Sequence, residues 1–147
     1  MRPAHFHAYH WQGERRVFDQ ESARRPGTPE FLTNRCTPMR LADWLLRPAT
    51  SITRTCQDAA GAAAWFRREM ARAAPAFAVE HDRATTEPVG AAAADALARG
   101  RDVHAGWYVR GTGFLTLDVI ACTPNATVPD HPCPLTRPQG LPVTPGT

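Results

Sequence analysis

The sequence predicts a two-layer α+β domain, with about three helices packed on one face of a small, mostly antiparallel sheet. Three observations carry that expectation. Residues 103–122, VHAGWYVRGTGFLTLDVIAC, alternate like the two arms of a hairpin around Gly-Thr-Gly. Residues 56–73 and 88–99 repeat their apolar side chains at helical spacing. Beyond Cys122 the chain holds seven of its 14 prolines and almost no large apolar residue, a composition that cannot bury a core. The 147 residues therefore divide into a single α+β domain, 1–122, and a Pro-rich extended or disordered tail, 123–147.

Taken in order, His5-Phe-His-Ala-Tyr-His-Trp11 reads as a mixed edge strand that packs Phe6 and Ala8 inward. Trp11–Glu14 can turn it back into Arg15–Phe18. Residues 20–37, with Pro26, Gly27 and Pro29, read as a long loop. A helix is expected over 38–47, with Thr37 able to cap, Pro38 in the first turn and Leu41, Trp44 and Leu45 on one face. The clearest helix spans 56–73. Thr55 with Asp58 resembles a capping box there, and Ala62, Trp65, Phe66, Met70 and Ala73 form the stripe. Residues 76–80 suit a short strand. The third helix, 88–99, has Thr86 as its cap and Gly100 to close it.

For the hairpin, a three-residue loop at Gly111–Gly113 sets Val109 against Leu115, Trp107 against Leu117, Ala105 against Val119 and Val103 against Ala121. Every pair on that face is apolar, whereas a one-residue slip would turn one whole strand over. The opposite face then carries His104, Tyr108 and Arg110 beside Phe114, Asp118 and Cys122. On this register His104 is a diagonal neighbour of both Asp118 and Cys122.

Composition narrows the function classes. All 17 basic residues are arginine, so Schiff-base and P-loop lysine mechanisms are excluded. Codon bias of a GC-rich genome explains the missing lysine, the scarce isoleucine and the abundant alanine. The formal charge of +3 permits an acidic or nucleic-acid partner without demanding one, and the paired arginines read as solvated faces. No apolar stretch near the start looks like a signal peptide, and none approaches a membrane span. The expected location is cytoplasmic, with Cys36, Cys56, Cys122 and Cys133 as free thiols. There is no C-x-x-C pair, G-x-G-x-x-G, G-x-S-x-G, H-E-x-x-H or deaminase signature.

Two function classes follow. The first is a binding or accessory protein that contacts a protein or nucleic acid through the exposed hairpin face, with Tyr108, Arg110 and Phe114 as binding residues. No membrane partner is expected, and a homo-oligomer through a sheet edge is open. The alternative is a small enzyme with His104 as general acid or base, Asp118 orienting it and Cys122 within reach of activation. His5 and His7 share a strand face and are weak metal candidates. Nothing in the spacing names a third ligand, although His81, His104, His131 or a carboxylate could serve, and His131-Pro-Cys133 could join a site from the tail. The expectation is no cofactor and no tightly bound metal.

Overall fold

A computed structural model describes residues 2–136. The fold is α+β, built on a four-stranded antiparallel sheet: β1 (His5–Glu14), β2 (Arg54–Cys56), β3 (Val103–Tyr108) and β4 (Gly113–Cys122), in the order β2-β1-β4-β3. The N-terminal strand does not fold back at Trp11. It runs its full length against β4, so β4 is central and almost wholly buried. Residues Arg15–Phe18, expected as the returning arm, form the short helix α1, and a second short helix, α2 (Pro29–Thr33), interrupts the predicted loop. They are followed by α3 (Ala59–Ala73), α4 (Glu80–Ala84) and α5 (Thr86–Ala98).

One sheet face packs on α3 and α5 through Phe6, Ala8, Trp107, Leu115, Leu117 and Val119. The cap of α3 is Asp58, whose carboxylate accepts from the Gly61 N–H at 2.7 Å, so the helix starts later than Thr55 suggests. Gly100, at φ 74°, takes the left-handed conformation just past α5, as predicted.

The hairpin keeps its predicted faces but not its register. Trp107 lies opposite Leu115, Ala105 opposite Leu117 and Val103 opposite Val119, a slip of two residues. The loop is still three residues but starts one residue earlier: Val109 closes it by donating to the Gly113 carbonyl, which leaves Arg110–Thr112 as the turn, with Gly111 at φ 78°. An even slip keeps the inward set inward, so burial could not decide between the two registers. The predicted strand at 76–80 reduces to a single bridge between Phe77 and Val109. The predicted helix at 38–47 is a 3-10 segment, Leu41–Leu46, and it lies on the other side of the sheet from α3 and α5.

The second sheet face is covered, contrary to the expectation of an exposed polar face. Tyr9 stacks on Trp44 at 4.1 Å between ring centroids, and Leu45, Ile120 and Cys122 complete that cluster. Phe18, Cys36 and Phe114 form another. Arginines fasten this irregular layer. The fully buried Arg47 donates to the carbonyls of Phe31 and Cys36, and Arg24 donates to those of Thr37 and Phe18. Arg24, read as a solvated residue, instead satisfies backbone acceptors that have no helix or strand partner.

Residues 123–136 are also part of the folded body, which corrects the boundary drawn at Cys122. Asn125, His131 and Cys133 are buried. Asn125 donates to Asp102 and to the Ala121 carbonyl, and accepts from the N–H groups of Thr127 and Val128. His131 meets the buried Asp43 carboxylate at 2.9 Å. Polar contacts thus replace the apolar burial that the composition lacks. The rest of the predicted tail, 137–147, lies outside the described residues.

Among the described residues no helix is long and apolar enough to cross a membrane. Trp107 stacks on Phe77 at 4.8 Å and is buried with Phe66. Trp107→Ala should cost about 3 kcal/mol, as other large-to-small core changes do, in equilibrium urea unfolding. A neutral result would contradict this packing.

Candidate functional site

Strand geometry assembles a His/Cys cluster at one end of the second face. His5 and His7 project from the same side of β1 because side chains alternate along a strand. The register sets His5 opposite Cys122, with His7 opposite the adjacent Ile120. Cys133 arrives from the C-terminal segment. The Nε2 atoms of His5 and His7 are 3.1 Å apart, and the Cys133 Sγ is 3.5 Å from each. One donor atom from each of His5, His7, Cys122 and Cys133 falls in a group no more than 4.8 Å across. His7 is fully buried, and its Nδ1 meets the Thr55 hydroxyl at 2.9 Å, leaving Nε2 directed at the cluster. Burial, with His5 beside it, pulls the His7 pKa down to about 4, so its imidazole is neutral at pH 7. Burial pushes the Cys122 thiol up to about 12, although a hydrogen bond with the Thr123 hydroxyl at 2.9 Å opposes the shift.

The sequence names His5 and His7 as weak candidates and lets Cys133 join a site from the tail, but it does not point to Cys122 as their partner. Cys122 was placed beside His104, and the slipped register separates them: His104 lies opposite Asp118, while Cys122 lies opposite His5. The signal that was present but unreadable was the pairing of β1 with β4, which connects opposite ends of the chain.

In the middle of the same face, Asp118 is fully buried and serves three neighbours. Its Oδ2 accepts from the Thr37 hydroxyl at 2.5 Å and from the Trp44 indole N–H at 2.9 Å. Its Oδ1 lies 2.6 Å from His104 Nδ1. That hydrogen bond raises the His104 pKa against the opposing effects of burial and of Arg24. The His104 side chain is 41% exposed, and its Nε2 has no hydrogen bond among the described residues. His104 and Asp118 are therefore brought together as the sequence placed them, directly across rather than diagonally.

The three predicted binding residues do not form one open surface. Tyr108 is half exposed, but Phe114 is buried under Phe18, with the Arg15 guanidinium 4.3 Å from its ring centroid. Arg110 is exposed and donates to the Pro75 carbonyl.

A different surface lies at the outer edge of β3. Val109 bonds back to Gly113, so Val103, Ala105 and Trp107 turn their backbone groups to β4 and the intervening residues turn theirs outward. The Tyr108 carbonyl accepts from Ala78 N–H at 2.8 Å, and Arg110 N–H donates to the Ala76 carbonyl at 3.0 Å. The outward backbone groups of His104 and Gly106 have no partner among the described residues. Beside this edge runs a shallow groove between β3 and α5, lined by Phe66, Val89, Ala92, Ala96 and Ala105. The small side chains of α5 keep it open.

No protein-family model matches this chain, and no curated protein or solved structure matches it.

Proposed function

We propose that the protein is a small binding or accessory protein whose partner is another protein, engaged by strand addition to the free edge of β3. The observation that carries this reading is the unpaired backbone of His104 and Gly106 running beside an apolar groove. An edge strand next to a helix offers main-chain hydrogen bonds for affinity and a groove for alternate side chains. The partner is an extended segment carrying a small apolar residue, since alanine and valine wall the groove. This moves the binding surface from the hairpin's second face to its edge. A cytoplasmic location belongs to the same proposal, supported by four free thiols.

The test is selection of binders from a displayed library of random peptides, followed by amide NMR with a synthetic winner. The His104 and Gly106 amide signals should move. Ala92→Arg, at an exposed helix position, should weaken binding about tenfold, or 1.4 kcal/mol, without changing the melting temperature. Binders that leave both amides unmoved would remove the proposal. A concentration-dependent dimer abolished by Ala92→Arg would make the occupant a second copy, and affinity falling steeply with salt would point to nucleic acid.

Acid–base catalysis at His104 is the second reading, favoured by the 2.6 Å contact with a buried carboxylate and by a free Nε2 on a partly exposed ring. Its mark is turnover lost in His104→Ala with ligand binding retained.

A further inference from the structure

We propose that His5, His7, Cys122 and Cys133 bind one zinc ion in a closed tetrahedral site that fastens the C-terminal segment to the sheet. Zinc–nitrogen bonds of about 2.0–2.1 Å and zinc–sulfur bonds of about 2.3 Å give tetrahedral edges of about 3.3 Å between nitrogens and about 3.6 Å between nitrogen and sulfur. The observed edges are 3.1 Å between the two imidazoles and 3.5 Å from each to Cys133. The Cys122 sulfur completes a group within 4.8 Å. The donor atoms of His5, His7 and Cys133 already stand at close to the separations that one ion would impose, with the Cys122 sulfur near enough to close the tetrahedron by a small shift.

The donor chemistry agrees with the geometry. Two thiolates and two neutral imidazoles around a divalent ion sum to zero charge, which suits a buried location. Two sulfurs select a soft or borderline metal over magnesium or calcium. The Thr55 hydroxyl on His7 Nδ1 and the Thr123 hydroxyl beside Cys122 are the outer contacts such ligands normally have. All four positions come from protein, leaving none for water or substrate, so the site is structural. Its ligands come from β1, from the end of β4 and from the segment after it. One ion therefore links the first strand of the chain to the last described stretch, which has few apolar residues of its own to hold it.

The step is an exchange without redox: zinc binds, and the two thiols release two protons to solvent. The test starts from the full chain, purified under reducing conditions without chelator and assayed by elemental analysis. About one equivalent of zinc is expected. Cys133→Ser and His7→Ala should each lower zinc content at least tenfold. His10→Ala, an exposed histidine of the same strand, should leave it unchanged. If the ligand variants fail to fold, wild-type protein stripped with a strong chelator and titrated with Co(II) decides the matter. The expected spectrum shows intense visible bands of tetrahedral cobalt and a thiolate charge-transfer band. An octahedral spectrum, no cobalt uptake, or zinc that persists in Cys133→Ser would each overturn the proposal. Copper or iron in place of zinc, at one equivalent, would overturn the metal identity.

Discussion

A chain ending at Cys122 is expected to lose cooperative unfolding or to fall by at least about 3 kcal/mol in stability, a large share of a small domain's total. The truncation removes His131 from the buried Asp43 carboxylate, leaving among the described residues the flanking Arg40 to meet it. Taking a hydrogen-bond partner from a buried carboxylate costs about 1–3 kcal/mol or more, and the retained Arg40 keeps this contact's share near the lower end. The cut also takes Asn125 from Asp102 and from the Ala121 carbonyl, and uncovers the Tyr9–Trp44 stack where Cys133 packs on it. A chain ending at Thr136 keeps every one of these contacts. The measurement is urea unfolding of the two truncations beside the full chain. Equal midpoints for the Cys122 and Thr136 forms would show that the docked segment contributes nothing.

That segment also shows where sequence reading stops. Helices α3 and α5 and the hairpin faces were legible because periodic apolar residues report directly on burial. Residues 123–136 are held instead by one asparagine, one histidine and one cysteine, each finding a partner far away in sequence. Periodicity carries no trace of such contacts. The covering layer over Tyr9 and Asp118 escaped for the same reason. Its order depends on Arg47 and Arg24 reaching backbone carbonyls of irregular chain, and an arginine in a loop looks the same whether it does this or faces water. The candidate site followed suit. The pairing of His104 with Asp118 lies within one hairpin and was readable. The His/Cys cluster needs β1 beside β4, and topology of that range is not written in local pattern.

Asp118→Ala is the single substitution expected to cost most, about 2–5 kcal/mol. It leaves the Thr37 hydroxyl and the Trp44 N–H buried without an acceptor, each worth about 1–3 kcal/mol. Asp118→Asn separates charge from shape. The amide oxygen can still accept from Thr37 and Trp44, and the amide nitrogen can donate to neutral His104, so the fold should survive. The difference should then appear in pH dependence. The folded-state pKa of His104 is raised above its ordinary value of 6.5, chiefly by the Asp118 hydrogen bond. The charged groups that bear on the ring are Asp118, which favours the imidazolium, and Arg24, which opposes it. A raised pKa means that the folded state binds the proton more tightly than the unfolded one. The resulting stability is fully present below 6.5 and is lost as pH rises through the folded value. Wild-type protein should therefore lose stability relative to Asp118→Asn as pH is raised from 6.5 to 8, read as the gap between their urea midpoints. The cysteines with raised pKa values lie above this window, and the His7 value of about 4 lies below it. A gap that stays constant across the window would mean that Asp118 does not raise the His104 pKa, and that it acts only as an acceptor for Thr37 and Trp44.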